Sequence, residues 1–380
     1  MPKVMISAAE VSGDVHASYL VREIKKLDPS IVFFGLGGER MKAAGVDVRL
    51  DITSRSTIGF IEVLKHIPSH LRSMNRLKKM MDEERPDALI LVDAQGFNMP
   101  LASVARKKGI KTIYYIAPQE WLWGTENGIK KVAGTIDLII SIFRKEHEAY
   151  EKAGGKSLYF GHPLMDIARK TSDKNDFASK HGIDPSRKII SLCPGSRWQE
   201  IKGLSPILIA TAKRIKDSIP DAQFIIPLSS SIYREAVKRM ADTSGINIIV
   251  AEGDNYDVLG NSDLVIAASG TIVLESVVLD VPVIMLYKLA LPTYLIARYI
   301  LRIRMPYYSM PNILADMPIV PEYIMDEANP DNLSVQALRL LNDKALSEKM
   351  KKDFGLVMSK LGDHGVIRKT ADAIVKFLHN

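Results

Sequence analysis

The sequence predicts an α/β fold built from two doubly wound domains. Apolar runs of strand length alternate with helical patterns along the whole chain. Three of those runs lead through a glycine turn toward a helix, at Gly35-Leu-Gly-Gly38 in the first half and at Pro194-Gly195 and Ser269-Gly270 in the second. The length, 380 residues, exceeds what a single core ordinarily encloses. Lys170–Arg187 is polar and charged and reads as a linker. The N-terminal domain is therefore placed at 1–165 and the C-terminal one at 166–360.

Val4–Ala8 reads as a buried strand, followed by Glu10-Val-Ser-Gly-Asp14 and a helix with Ala17, Leu20, Val21 and Ile24 on one face. Ser12 or Asp14 is positioned to cap that helix. Glu10, Ser12 and Asp14 crowd one strand-end loop, where such sheets take ligands; the alternative is a capped helix and no more. Ile31–Phe34 is the second strand. Its Gly35-Leu-Gly-Gly-Glu-Arg-Met41 turn lacks the third glycine of a dinucleotide fingerprint. Ile58–Glu84 is amphipathic and interrupted by Pro68, with Ile58, Phe60 and Ile61 ahead of Lys65, Arg72, Arg76 and Lys78. It either docks on an anionic bilayer or packs on the sheet with a solvated basic face.

Ala88–Val92 is a fully apolar strand ending at Asp93. A carboxylate there can accept a proton from a substrate hydroxyl, or cap the next helix. Thr112–Ile116 leads into Pro118-Gln-Glu-Trp-Leu-Trp123, whose tryptophans line a sugar or acyl pocket or seal the domain. Leu138–Ile142 is the next strand. Glu146-His147-Glu148 resembles a metal cluster only in text, because helical spacing spreads the three around the axis. His162 either touches a ligand or fixes the crossover.

In the second half, strand Ile189–Leu192 breaks at Pro194-Gly195 and feeds a helix from about Gln199. Backbone N–H groups at such a helix start, with the helix dipole, make an anion seat. Ser196 adds a hydroxyl and Arg197 a phosphate-matching fork, although an ordinary βα turn with a surface arginine fits the same residues. Strands follow at Gln223–Pro227, Ile246–Val250 and Leu264–Ala267, and Val281–Leu286 closes the sheet. Ser269, Gly270 and Thr271 form a second helix start of the same kind, with Glu275 one turn in to receive ribose hydroxyls or simply fill a buried helix. Leu286–Met310 is rich in Leu, Ile, Tyr and Pro and carries Lys288, Arg298, Arg302 and Arg304 with no acid, which suits a headgroup layer or a lipid phosphate.

Composition bounds the partners. Lys and Arg number 51 against 44 Asp and Glu, a net charge of +7, which suits an anionic partner without choosing one. One cysteine, Cys193, leaves no internal disulfide and reads as buried packing. The N-terminus lacks a secretory core and no apolar run reaches membrane-spanning length, so a cytoplasmic protein is expected. No Asp-x-Asp occurs, so neither a cofactor nor a diphosphate-carrying metal is expected.

Several stretches together resemble lipid-A-disaccharide synthase, a bacterial family of GT-B glycosyltransferases (family 19). They are Glu10-Val-Ser-Gly-Asp14, Gly38-Glu-Arg-Met41, Gly59-Phe-Ile-Glu-Val-Leu64, Asp93-Ala-Gln-Gly-Phe-Asn98, Pro118-Gln-Glu-Trp-Leu-Trp123, Gly161-His-Pro-Leu-Met-Asp166, Pro194-Gly-Ser-Arg-Trp-Gln-Glu-Ile201, Ser269-Gly-Thr-Ile-Val-Leu-Glu275 and Pro311-Asn-Ile-Leu-Ala315, in family order. The resemblance implies two Rossmann-like domains facing a cleft. It implies transfer of 2,3-diacylglucosamine from UDP to 2,3-diacylglucosamine 1-phosphate, giving a β(1→6) disaccharide phosphate. By likeness Asp93 is the general base with Glu10 beside it, and Arg197, Glu275 and Asn312 serve the nucleotide sugar. The resemblance also implies a peripheral enzyme on the inner face of the cytoplasmic membrane, no nucleic acid partner, and a homodimer. In that dimer the last helix, about 363–380, returns to the first domain, in swapped form. The sequence departs from the family where Gln95-Gly96 replaces the usual Pro-Asp, and at Gln119, Glu120 and Leu122 of the tryptophan loop. Rival readings are a UDP-GlcNAc 2-epimerase, another GT-B transferase, or a catalytically silent nucleotide-sugar- or lipid-binding protein.

Overall fold

The computed structural model describes residues 1–51, 60–228, 231–288 and 305–379, with the backbone alone at 60–70 and Trp123. Contacts divide the chain into two units, Met1–Asp166 with Leu361–Asn380, and Ile167–Lys360.

Among the described residues the first unit holds strands β1 (Lys3–Ala8), β2 (Val32–Gly37), β3 (Asp47–Asp51), β4 (Ala88–Val92), β5 (Lys111–Tyr115), β6 (Leu138–Ser141) and β7 (Ser157–Tyr159). They form one parallel sheet in the order β3-β2-β1-β4-β5-β6-β7. Its helices are α1 (Val11–Leu27), α2 (Glu39–Ala43), α3 (Phe60–Glu84), α4 (Gln95–Lys107), α5 (Glu120–Trp123), α6 (Glu126–Thr135) and α7 (Arg144–Lys152), with α8 (Leu164–Ile167) at the exit. β4 is buried at every residue, as a strand covered on both faces by crossover helices must be. Gly35 has φ +144, and a Cβ there would fall on the Ile6 carbonyl of the neighbouring β1.

The second unit holds α9 (Lys174–His181), β8 (Ile189–Cys193), α10 (Trp198–Ser218), β9 (Gln223–Leu228), α11 (Arg234–Asp242), β10 (Ile248–Glu252), α12 (Asn255–Gly260), β11 (Leu264–Ala268), α13 (Thr271–Val278), β12 (Val283–Tyr287), α14 (Met310–Ala315), β13 (Glu322–Ile324) and α15 (Pro330–Asn342). The strands run parallel in the order β10-β9-β8-β11-β12-β13. α16 (Lys344–Leu361) leads back to the first unit, where α17 (Val366–His379) packs on α1. Asp166 fixes that return: its carboxylate accepts the Gly365 N–H at 2.6 Å and the Ile367 N–H at 2.8 Å.

Several local expectations fail for identifiable reasons. Lys170–Arg187 is not a bare linker. Asp173 caps α9 through the N–H groups of Asn175 and Asp176, and Phe177 enters a core with Ile183, Ile189 and Ile225. Pro68 does not interrupt α3, which continues through it. β12 does not close its sheet, since β13 pairs beyond it. Neither Ser12 nor Asp14 caps α1. The buried Asp14 instead accepts from Gly38, Arg40 and Met41 and so caps α2, a partner 24 to 27 residues away.

Both sheets reverse direction of winding beside their first strand. The crevices are β1/β4 in one unit and β8/β11 in the other, the places where open α/β sheets take ligands. Glu10 and Asp93 follow β1 and β4; Ser196 and Ser269 follow β8 and β11.

Burial also creates a pH liability at Glu146. It is fully enclosed, and desolvation raises its pKa to about 8 despite N–H donors from Ile142 at 2.8 Å and Phe143 at 3.3 Å. Above the ordinary value of 4.5 the unfolded chain sheds this proton more readily than the folded one, so stability falls as pH rises toward 8. Glu146→Gln should match the wild type in thermal melting near pH 4.5 and become the more stable protein between that pH and 8, the gap then staying constant.

Candidate active site

β4 ends at Val92, and the chain then turns through two left-handed residues, Asp93 at φ 52 and Ala94 at φ 48. Non-glycine residues hold that conformation only where their surroundings fix it. Here Asn98 Nδ2 donates to the Asp93 carbonyl at 2.7 Å and to that of Val92 at 3.1 Å. The Tyr114 hydroxyl donates to the same Asp93 carbonyl at 2.8 Å. Ser7 Oγ orients Asn98 by donating to its Oδ1 at 2.8 Å. Residues from β5 and α4 thus meet on one backbone oxygen, with Ser7 of β1 holding Asn98, and the Asp93 side chain of this clamped turn is half-buried.

Glu10, at the N-cap of α1, is half-buried on the neighbouring strand end. Burial first, then the charges of Asp93, Tyr150 and Glu10, hold the Tyr114 phenol well above its usual range. Both carboxylates therefore act on one phenol. Ser12 lies half-buried in the first turn of α1. The loop after β5 meets the same edge: Gln95, first residue of α4, donates its side-chain amide to Glu120 of α5. The Trp121 ring packs on Phe143 at 5.9 Å between centroids, and Phe143 on His162 at 5.1 Å. His162 is buried, donates its N–H to Leu361 and accepts from the Leu164 N–H, and desolvation holds its pKa near 3. It fixes the crossover. His147 bonds Ser157 and Glu151, while Glu146 closes the start of α7.

In the second unit the two glycine turns prove unlike. The seat at the start of α10 is already filled: the Ser196 and Arg197 N–H groups donate to Glu200 Oε2 at 3.1 and 3.3 Å, and the Arg197 guanidinium lies 3.5 Å from Glu200 Oε1. The expected open anion site there is corrected to a self-capped one, with the exposed Ser196 and Arg197 side chains at its rim. No side chain caps α13, and no acid lies in its first turn. Ser269, Gly270 and Thr271 surround that start, with Gly270 and Thr271 exposed. Glu275 is one turn in, where desolvation raises its pKa to about 7 against a hydrogen bond from Tyr256. Cys193, fully enclosed beside it, has its thiol pushed up by burial and by the Glu275 charge, which makes it inert packing.

Asn312 does not face outward. It is buried, its Nδ2 donates to Val320 and Glu322, and its Oδ1 accepts from Ile319 and Val320, all at 2.8 Å. Its amide is spent on holding the β13 approach, and Glu322 in turn accepts from Tyr308 and Ser309. Of the residues expected to face lipid, Ile58, Arg298 and Arg302 lie outside the described residues. Phe60 and Ile61 open α3, and Lys288 is exposed just past β12. Among the described residues no three His, Cys, Asp or Glu side chains are grouped to hold a metal ion, and no helix is long and apolar enough to cross a membrane.

Sequence reading missed Tyr114 and gave Asn98 and Glu200 no role. Glu200 was findable, three residues into its helix as in a capping box, and Asn98 stands five residues past the carbonyl it bonds; Tyr114 acts from the neighbouring strand and leaves no local signal.

A profile of the lipid-A-disaccharide synthetase family matches residues 4–376. The lipid-A-disaccharide synthase of Geobacter sulfurreducens is 37% identical over 376 residues, covering 99% of this chain and 97% of that one. Among solved structures, the UDP-GlcNAc 2-epimerase of Neisseria meningitidis bound to UDP-GlcNAc superposes with a TM-score of 0.66 at 13% identity, covering 100% of both chains. The spinosyn rhamnosyltransferase SpnG does so at 0.58 and 12%, again over 100% of both. An epimerase and a transferase share this backbone at such low identity, so the structural likeness establishes the fold and the sequence establishes the family. The chain belongs to the lipid-A-disaccharide synthetase family, glycosyltransferases of the GT-B fold.

Proposed function

We propose that this chain is an inverting glycosyltransferase that joins UDP-2,3-diacylglucosamine to 2,3-diacylglucosamine 1-phosphate. The products are the β(1→6) disaccharide 1-phosphate and UDP. The observation that carries the reading is the clamped Asp93 turn at the β1/β4 crevice, within a chain of this family. The acceptor 6-hydroxyl oxygen attacks the donor anomeric carbon, the bond to UDP breaks with its electron pair, and Asp93 takes the hydroxyl proton. Glu10 is the second carboxylate of that edge, and Ser12 a donor to substrate hydroxyls.

On the donor side, Ser269, Gly270 and Thr271 at the bare start of α13 offset diphosphate charge, helped by Arg197 and Ser196. Glu275 meets the ribose. The proposal uses no metal and no cofactor, in keeping with a sequence that has no Asp-x-Asp. Net charge +7 and the exposed Lys288 support peripheral attachment to an anionic membrane face, reached from the cytoplasm. The homodimer is part of the same proposal and rests on the resemblance alone.

Incubating the protein with both acylated sugars should yield the disaccharide phosphate and UDP by mass. Conversion of UDP-GlcNAc to its 2-epimer, with no disaccharide, would replace this reading by the epimerase one. Asp93→Asn should cut turnover by about 10²–10⁴-fold with donor affinity nearly unchanged. Near-normal turnover in that variant removes the base. Arg197→Ala should weaken UDP binding by about tenfold, the scale of one charge-assisted hydrogen bond; calorimetric titration with UDP reads it, and an unchanged Kd removes Arg197 from the donor site.

A further inference from the structure

Two departures from the family pattern, at Gln95 and at Glu120, touch each other. Gln95 opens α4 directly after the left-handed pair Asp93 and Ala94. Ala94 cannot cap that helix, and its first turn holds no acid. The Gln95 amide instead reaches Glu120 Oε1, 25 residues on, across the loops that follow adjacent strands β4 and β5.

Glu120 is firmly mounted. Its Oε2 accepts the Thr125 N–H at 3.3 Å, at the N-cap of α6. Gly124 and Gly128 line the carboxylate, and a Cβ on either would fall on it. The Glu120 N–H donates to the Pro118 carbonyl at 2.8 Å, and the buried Tyr150 hydroxyl donates to that same carbonyl. The two glycines and the Pro118 anchor hold this carboxylate in a space shaped for it.

We propose that Glu120 is a positioning residue for Asp93, acting through Gln95. The role rests on Asp93 being the base. Asn98 and Tyr114 fix the carbonyl side of the Asp93 turn; the Gln95–Glu120 bond fixes where α4 begins, on its other side. Gly96 has open space where a Cβ would stand, so an acid placed there would stand in the first turn of α4, which has none, without a clash.

The test uses the full-length protein carrying Gln95→Ala, Glu120→Ala, both together, and Glu120→Gln, after the wild type has been seen to form disaccharide. Each alanine change should lower kcat about tenfold with donor KM held within about twofold, as a misplaced base does. The double variant should lose no more than either single one, because one bond is being removed twice. Glu120→Gln keeps one oxygen for the Thr125 N–H and can donate its new NH2 to the Gln95 carbonyl once that amide turns over, so it should keep most of the activity. Gly96→Asp should restore kcat in the Gln95→Ala background. Amide exchange at residues 93–98 should quicken in both alanine variants, which reads the positioning even where no turnover is seen. Wild-type kcat in Gln95→Ala, or losses that multiply in the double variant, would overturn the proposal. A Glu120→Ala protein that merely melts earlier, with exchange at residues 93–98 unchanged, would overturn it too. Absence of disaccharide with the wild type counts against the reaction, while the exchange measurement still decides the contact.

Discussion

One carbonyl oxygen organises the first unit. The Asp93 carbonyl receives Asn98 and Tyr114, and through them it ties β1, β4, β5 and α4 together at the winding reversal of the sheet. A left-handed turn of two non-glycine residues is costly by itself, of order 1–3 kcal/mol for each residue. Two donors on one acceptor offset that cost and hold the main chain of the turn in place.

The second unit shows how similar local sequences can end differently. Both glycine turns offer a helix start to an anion, but α10 spends its own on Glu200, while α13 has no acid within reach in its first turn. A carboxylate fixed on those N–H groups also places negative charge beside Arg197, so the guanidinium at the rim is already partly neutralised. The bare helix start and the rim arginine are consequently different in kind: one is an uncapped dipole, the other a charge already paired with an acid of its own helix.

Much of the fold was legible because buried parallel strands announce themselves. Ala88–Val92 and Leu264–Ala267 are uninterrupted apolar runs, and both became central strands. The strands that were missed are edges. β3, Asp-Val-Arg-Leu-Asp, alternates charge with aliphatic residues, and β7 and β13 are three residues each, too short to carry a period. The candidate site was legible as positions: Asp93, Glu10 and the α13 turn do follow the strands beside the winding reversals. It was not legible where a polar group serves a distant backbone. Asp14 looked like the cap of its own helix and caps another; Asn312 looked like a ligand contact and spends its amide on residues 319, 320 and 322. Local spacing cannot distinguish a side chain that turns inward from one that turns outward, because both obey the same helical geometry.

The hydrogen bonds from Gly365 and Ile367 to Asp166 join positions 199 and 201 residues apart in the chain. In effect the second unit is an insertion within the first, since everything between α8 and α17 leaves and returns through that junction. During synthesis from the N-terminus the second unit has all of its strands before the first has its last helix. The face of α1 that α17 covers lacks its partner until α17 has been made. Along the chain, the unit begun first is thus the unit completed last.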